Sequence, residues 1–309
     1  MSFKLTRRAA LTGAAALPAA AGLPLLAAAA SPTPPAAQAR SFQLGEMRVT
    51  TLLDASAMRE EPKGMFAKAA SDEEFAQLSA ENFVPADRVQ MYFTPVLAEA
   101  GGEKVLFDTG LGQGGLPKAL AAAGVTPDQI TTVVITHMHP DHIGGLMADG
   151  APMFPNARYV TGSAEYNFWS KMEAGNRVGD LVAKNVTPLA QKMSFLDDGG
   201  SVISGITAVA AQGHTPGHMG YMLESAGQQI MLTADLANHY VWSFARPDWA
   251  FSFDADGAAA AASRRRILGM LAADRVPMIG YHMPFPAAGF VESRGEGFRY
   301  VPVSYQMMG

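Results

Sequence analysis

Apolar and polar residues switch over short distances from Phe42 onward, which predicts short strands interleaved with helices. Met47, Val49 and Leu52-Leu53 form an opening strand, and Ser71-Asp72-Glu73-Glu74 is a capping box for a helix running toward Glu81. Met91–Ala98 and Lys104–Phe107 are expected to pair as a hairpin turning at Gly101-Gly102. A short helix around Leu116–Ala123 precedes Thr132–Thr136 (TVVIT), a β-branched run suited to a buried strand. The second half repeats the theme. A strand at Arg158–Thr161 leads into helices at Ser163–Met172 and Val178–Lys192, then strands near Val202–Ala210, Met219–Leu223 and Gln229–Ala234. Ala258–Ala273 is an Ala-rich helix whose Arg264, Arg265 and Arg266 read as a solvated face. Strands at Val276–Tyr281 and Phe298–Val303 close the chain. Two β-rich halves with flanking helices predict an α/β fold of two sheets packed face to face with helices outside.

The segment before Phe42 does not carry this pattern. Residues 1–39 hold three basic residues (Lys4, Arg7, Arg8), no acidic residue and an Ala/Leu/Pro-rich stretch from Ala9 to Ala30. Thr6-Arg7-Arg8-Ala9-Ala10-Leu11 resembles a twin-arginine export signal. Ala37-Gln38-Ala39 and Ala28-Ala29-Ala30 are the two candidate cleavage sites, and Ser31–Arg40 reads as a Pro/Ala linker. A membrane anchor is the alternative, but the run is mostly Ala, broken by Gly13, Pro18, Gly22 and Pro24, and is weakly hydrophobic for a span. The expectation is a cleaved signal over 1–39, a periplasmic or secreted domain over 40–309, and no stable membrane anchor after processing.

Charge and cysteine content narrow the chemistry. The chain has 23 basic and 28 acidic residues, and removing the three basic signal residues moves the net charge from −5 to about −8. Nucleic-acid binding needs a basic face and is not expected. There is no cysteine, so thiolate ligands, thiolate nucleophiles and disulfides are all excluded. A small-molecule substrate is the expected partner, and a homodimer is the candidate assembly.

The histidines carry the chemistry. Three of the seven fall in His137-Met138-His139-Pro140-Asp141-His142, directly after the strand TVVIT. At a strand end, residues i and i+2 point the same way, so His137 and His139 can share one cation. Pro140 redirects the chain so that Asp141 and His142 face a second cation, and Gly144-Gly145 lets a helix start close by. Later strand ends supply His214, Asp235 and His282. Two sets result: His137, His139 and His214 for one ion, Asp141, His142 and His282 for the other, with Asp235 bridging. Mixed carboxylate and imidazole donors suit two divalent ions, zinc above all, with iron, cobalt and manganese as alternatives.

HMHPDH, GHTPGH (Gly213–His218), an Asp after a strand and a final His after another resemble the metallo-β-lactamase superfamily. The resemblance implies an αβ/βα four-layer sandwich, with the seven residues above as metal ligands. LGEMRVTTL, LFDTG (Leu106–Gly110), FPNA (Phe154–Ala157), Phe168-Trp169 and EGFRYVPVSY (Glu296–Tyr305) are similar to methyl parathion hydrolase-like members, near the N-acyl homoserine lactonases. Where those lactonases place a Tyr three residues after the bridging Asp, this chain has Asn238, followed by His239 and Tyr240. The implied reaction is attack of a metal-bridging hydroxide on a lactone, a carboxylic or aryl ester, or a phosphotriester, with Asp235 and Asp141 as catalytic carboxylates.

Around that centre, Phe93, Phe168, Trp169, His239, Tyr240 and Phe285 are the candidate pocket residues. On a helix, the pair Phe168-Trp169 is as readily core. His218 is read as structural, and Asp108 either holds a ligand imidazole or caps its turn. A mononuclear iron persulfide dioxygenase-like enzyme and a glyoxalase II-like thioester hydrolase are the competing classes.

Changing both Arg7 and Arg8 to Lys is expected to leave the protein in the cytoplasm with residues 1–39 attached. Recovery of processed protein from the periplasm of that variant, judged by fractionation and intact mass, would count against twin-arginine export.

Overall fold

The strand Thr132–Ile135 shows how the layers arise. It is buried throughout, as expected of a β-branched strand paired in parallel on both sides. Val134 packs with apolar residues of a second sheet, whereas Val133 and Ile135 pack with Leu116, Leu120 and Val182 from helices on the other face. The structure, a computed structural model, describes residues 38–303. The export segment read over 1–39 lies outside the described residues except for Gln38 and Ala39.

Two seven-stranded sheets build the core. The first runs, in spatial order, Gln38–Leu44, Met47–Leu53, Val96–Ala100, Glu103–Phe107, Thr132–Ile135, Arg158–Gly162 and Met193–Leu196, parallel from Glu103 onward. The second runs Ser201–Ile203, Ile206–Ala210, Met219–Ser225, Gln228–Ala234, Met278–Gly280, Ala288–Arg294 and Gly297–Pro302. Its one parallel step joins Gln228–Ala234 to Met278–Gly280, and the crossover carries the helix Gly257–Asp274. Rings meet between the sheets, Phe107 on Tyr221 at 5.2 Å. Leu116, Leu120 and Val182 cover one outer face, and the helix Gly257–Asp274 covers the other through Ile267, Leu268 and Leu271. The expected four-layer αβ/βα sandwich is therefore the observed one. No helix among the described residues is long and apolar enough to cross a membrane.

Several local expectations hold. The helix Asp72–Glu81 starts at Ser71, whose hydroxyl accepts the Glu74 N–H at 3.0 Å. Val96–Ala100 and Glu103–Phe107 pair around Gly101-Gly102.

Others are corrected. The Ser31–Arg40 linker ends early, because Gln38, Ala39 and Arg40 pair with Leu53, Leu52 and Thr51. A domain boundary at 40 would therefore fall inside a strand. Met91–Ala98 is not one strand: Arg88–Phe93 pairs with Ala55–Glu60 in a separate two-stranded sheet, and Pro95 lies between it and Val96–Ala100. Val178–Lys192 divides into an α-helix at Arg177–Asn185 and a tighter helical turn at Thr187–Lys192, with Pro188 at the break. Val202–Ala210 folds back at Gly205 (φ 81°) into two strands, Ser201–Ile203 and Ile206–Ala210.

The arginine cluster is the largest revision. Arg264 is 1% exposed. Its guanidinium donates to the carbonyls of Leu236 (2.8 Å) and Pro247 (2.6 Å), and lies 3.5 Å from the Asp254 carboxylate. The crossover chain before the helix passes beneath it with carbonyls that no sheet neighbour satisfies, and a five-donor fork is suited to meet them. Arg265 and Arg266 remain exposed.

Arg264→Leu is expected to lower unfolding stability by about 3 kcal/mol, because it strips partners from a buried carboxylate and several carbonyls. Arg265→Leu, which removes an exposed ion pair with Asp248, should change it by about 0.5 kcal/mol or less. Denaturant titration of both variants reads the difference, and equal losses would remove the structural role given to Arg264.

Candidate metal centre

Every expected ligand sits just beyond a strand, on one edge of the sandwich. His137 follows Thr132–Ile135, His214 follows Ile206–Ala210, Asp235 follows Gln228–Ala234 and His282 follows Met278–Gly280. The turn at Pro140 opens a short helix, Pro140–Ile143, that brings Asp141 and His142 round. Gly144 and Gly145 are required there, since a Cβ on either would lie 2.5 Å or less from the backbone of Leu111 or Thr109. Ala234 takes a left-handed conformation (φ 44°), a costly state for a residue with a Cβ, and it turns the chain directly before Asp235.

The seven side chains converge. His139 Nδ1 lies 3.1 Å from His137 Nε2 and 2.9 Å from His214 Nε2. Asp141 Oδ2 is 3.5 Å from both His142 Nε2 and His282 Nε2. Asp235 stands between the two groups, with Oδ1 3.2 Å from His142 and Oδ2 3.3 Å from His214 and 3.0 Å from His282. Among the described residues, three overlapping triads have donor atoms within 4.8 Å of one another: His137/His139/His214, His137/His142/Asp235 and Asp141/His142/His282.

The outward hydrogen bonds fix what the inward atoms must be. His142 Nδ1 faces the Asp108 carboxylate at 2.8 Å, His214 Nδ1 faces Asp254 at 2.9 Å and His282 Nδ1 faces the Tyr92 carbonyl at 2.7 Å. Each partner only accepts, so each Nδ1 bears the proton and each neutral ring presents a bare Nε2 lone pair inward. Thr136 extends the pattern: its hydroxyl donates to Asp108 at 2.8 Å and can accept from His137 Nδ1 at 3.2 Å. His142 Nε2 and Asp235 Oδ1 are buried with no hydrogen-bond partner. Lone pairs about 3 Å apart repel unless a cation lies among them, and tetrahedral zinc–nitrogen bonds set ligand atoms about 3.3 Å apart. The donor set fits metal ions.

Electrostatics agree. Burial, then the neighbouring His142, holds His137 well below its ordinary range, and burial with His214 brings His139 down to about 3. Burial also disfavours charge on His142, His214 and His282, yet carboxylates outweigh it: His214 is pushed up to about 9, and the other two are raised. Asp108, Asp141, Asp235 and Asp254 together demand positive charge, supplied by protons or by metal.

Positions left open by the sequence are now placed. Of the two roles considered for Asp108, it takes the first, holding the His142 ring. Its carboxylate also accepts the Thr136 N–H at 2.8 Å, while the turn that follows is capped by Asp54, which accepts from Leu111 N at 2.8 Å. His218 donates from Nδ1 to the Ala211 carbonyl (2.9 Å) and accepts the Asp235 backbone N–H at Nε2 (3.1 Å), so it orients Asp235 from behind. Phe93 meets His282 edge-on at 5.4 Å. Trp169 meets His139 at 6.1 Å while belonging to the outer core, and Phe168, 37% exposed, packs on Trp169. His239 is buried against Trp242, Tyr240 is half-buried beside it, and Phe285 is half-buried, not among the rings packed on the cluster.

Sequence reasoning missed four supports: Glu165, Asp254, Arg264 and Tyr281. The fully buried Glu165 accepts from Met138 N (2.8 Å), Trp169 Nε1 (2.8 Å), Thr215 Oγ1 (2.7 Å) and Gly217 N (2.9 Å). It ties the HMHPDH turn to the GHTPGH turn. A Cβ at residue 217 would lie 2.0 Å from the Glu165 nitrogen, which is why the second turn needs glycine. Tyr281 donates its hydroxyl to the Asp141 carbonyl at 2.5 Å and lies under the His142 ring at 4.0 Å.

A family model for the metallo-beta-lactamase superfamily matches residues 94–280, more than half of the chain. The chain belongs to that superfamily. It is similar to the N-acyl homoserine lactonase AttM of Agrobacterium fabrum, 29% identical over 38% of this chain and 45% of that protein. A mouse metallo-beta-lactamase domain-containing protein is 46% identical over 20% of this chain and 22% of its own length. The chain thus spans less than half the length of the curated relatives it matches. Among solved structures, it resembles AidC, a dizinc quorum-quenching lactonase, at TM-score 0.81 and 28% identity, over 87% of this chain and 99% of that one. It also resembles the hydrolase AbOPH at TM-score 0.79 and 25% identity, over 87% and 98%.

Glu165→Gln keeps the shape but turns an amide N–H₂ toward donors. The expected result is a loss of about 1–3 kcal/mol in unfolding stability and weaker metal retention against a competing chelator. Unchanged values in both assays would show that the four hydrogen bonds do not hold the two ligand turns together.

Proposed function

We propose that this chain is a hydrolase that holds two divalent metal ions, zinc foremost, and cleaves lactones and carboxylic or aryl esters, with phosphotriesters as a side activity. The observation that carries the reading is the convergence of seven donor side chains, with the outward nitrogens of His142, His214 and His282 already committed to acceptors. His137, His139 and His214 would hold one ion, Asp141, His142 and His282 the other, and Asp235 both. Bound there, the ions would supply hydroxide at neutral pH and polarise the acceptor oxygen. The resemblance to AidC and AttM supports lactones as the first substrate class to test. Export by residues 1–39 belongs to the same proposal.

The chain's own contribution is placement. Asp235 reaches both ligand groups, with Oδ2 near His214 and His282 and Oδ1 near His142, so it can orient a nucleophile between them and pass a proton toward the leaving alkoxide. Its amide is held by His218 and its Oδ2 by the Asn238 side chain at 3.0 Å, which leaves little freedom for the carboxylate to swing. Phe93 and Trp169 border the cluster and exclude water from its flanks. A single-iron dioxygenase would leave one ligand group without a cation, against the buried unpartnered atoms of His142 and Asp235.

The purified protein is expected to hold about two metal ions per chain, to lose activity on chelation and to regain it with zinc, cobalt or manganese. Asp235→Asn should lower kcat by roughly two orders of magnitude while affecting KM less. Elemental analysis with kinetics on lactone, aryl ester and phosphotriester panels tests both. Full activity with one ion, or near-normal kcat in the variant, would sink the shared-carboxylate arrangement.

A further inference from the structure

A cavity of about 250 Å³ lies beside the cluster, lined by Val89, Tyr92, His239, Tyr240, Trp242 and Pro284 among others. Its walls belong to the two-stranded sheet, to Val84 and Pro85 just before its second strand, and to the loops that follow Asp235 and His282. Tyr92 provides the carbonyl that holds His282 Nδ1, and Pro284 stands two residues beyond His282. His239 follows Asn238, whose amide donates to Asp235 Oδ2. An occupant of the cavity therefore rests against Tyr92, which holds His282, and against the neighbour of Asn238, which holds Asp235.

His239 is the informative side chain. It is 5% exposed and stacks on Trp242 at 3.8 Å and 20°. Its Nδ1 accepts two backbone N–H groups, from Val241 and Trp242, each at 3.2 Å. A nitrogen that accepts cannot carry the proton, so the neutral ring keeps it on Nε2. Burial keeps the ring neutral, bringing its pKa down to about 3. Nε2 has no hydrogen-bond partner among the described residues, so a fixed, uncharged donor is left on a largely apolar wall. Arg88, the charged residue of the lining, is exposed and paired with Asp87 at 3.0 Å. Gln90, Tyr92 and Tyr240 add polar groups to the lining, but His239 is the one whose donor is fixed by backbone hydrogen bonds to the other side of its ring.

We propose that His239 is a specificity-determining residue, donating from Nε2 to an uncharged carbonyl oxygen on the non-reacting part of the substrate, whose apolar remainder fills this cavity. The proposal rests on the hydrolase reading above. It selects esters and lactones bearing a second carbonyl over equally bulky ones that lack it, because a ligand without the acceptor would desolvate the donor for nothing.

The test uses the full-length, zinc-loaded protein and two lactones of equal size, one with a side-chain carbonyl and one with a methylene in its place. Two variants divide the functions of the ring. His239→Asn keeps an acceptor where Nδ1 stood but has no donor at the Nε2 position, whereas His239→Gln keeps a donor near Nε2 and loses the inner acceptor. Wild type should favour the carbonyl-bearing lactone by about tenfold in kcat/KM, His239→Asn should lose that preference, and His239→Gln should retain most of it. An undiminished preference in His239→Asn overturns the proposal, as does an equal fall on both lactones with the ratio unchanged. Binding of the two matching lactams, read by calorimetry, separates this from the parent reading. A ratio that depends on His239 in binding, with turnover of neither lactone, keeps His239 and rejects the hydrolase. Turnover without the ratio does the reverse.

Discussion

Everything in this molecule is arranged around lone pairs that face one another inside protein. Carbonyl and carboxylate acceptors at the back of His142, His214 and His282 each take a ring proton, so in the neutral ring the front nitrogen is bare. Four carboxylates crowd the same volume. Such a cluster is unstable without positive charge, and burial makes protons an expensive source of it. A metal ion resolves the conflict at its centre, which makes ion binding and local folding one event.

That requirement explains otherwise odd features of the scaffold. Asp254 holds His214, and Arg264, buried on the helix Gly257–Asp274, lies beside Asp254 while donating to the carbonyls of the crossover chain. Glu165 does the equivalent work on the other sheet, joining two ligand turns that are 75 residues apart at His139 and His214. Left-handed Asp108 and Ala234 mark places where the backbone accepts an unfavourable conformation to aim a side chain. Each is a tertiary solution to a local electrostatic problem.

This division also explains what could be read from the chain beforehand. HMHPDH after TVVIT was legible because strand period, turn and ligand chemistry are all local, and the Ser71 cap was legible for the same reason. The later ligands could be recognised because each follows an apolar run. Arg264 was not, since three arginines in a row on an Ala-rich helix carry no sign of which one meets a distant loop. Glu165 was hidden similarly: one acid near the start of a helix looks like an ordinary first-turn residue until the second turn packs against it. The Met91–Ala98 run misled because its apolar pattern continues across Pro95 while the chain moves from one sheet to another.

The two-stranded sheet of Ala55–Glu60 and Arg88–Phe93 belongs to neither large sheet. It touches the cluster through a backbone carbonyl at Tyr92 and the edge of Phe93, and otherwise contributes a wall. Divergence has an unusually free hand in such a place. Met58, Arg88 and Gln90 line the cavity without belonging to the sandwich core, so their replacement can reshape the cavity at small expense in folding. The same separation lets novelty arise on an appendage while the edge where the histidines and aspartates converge stays as it is.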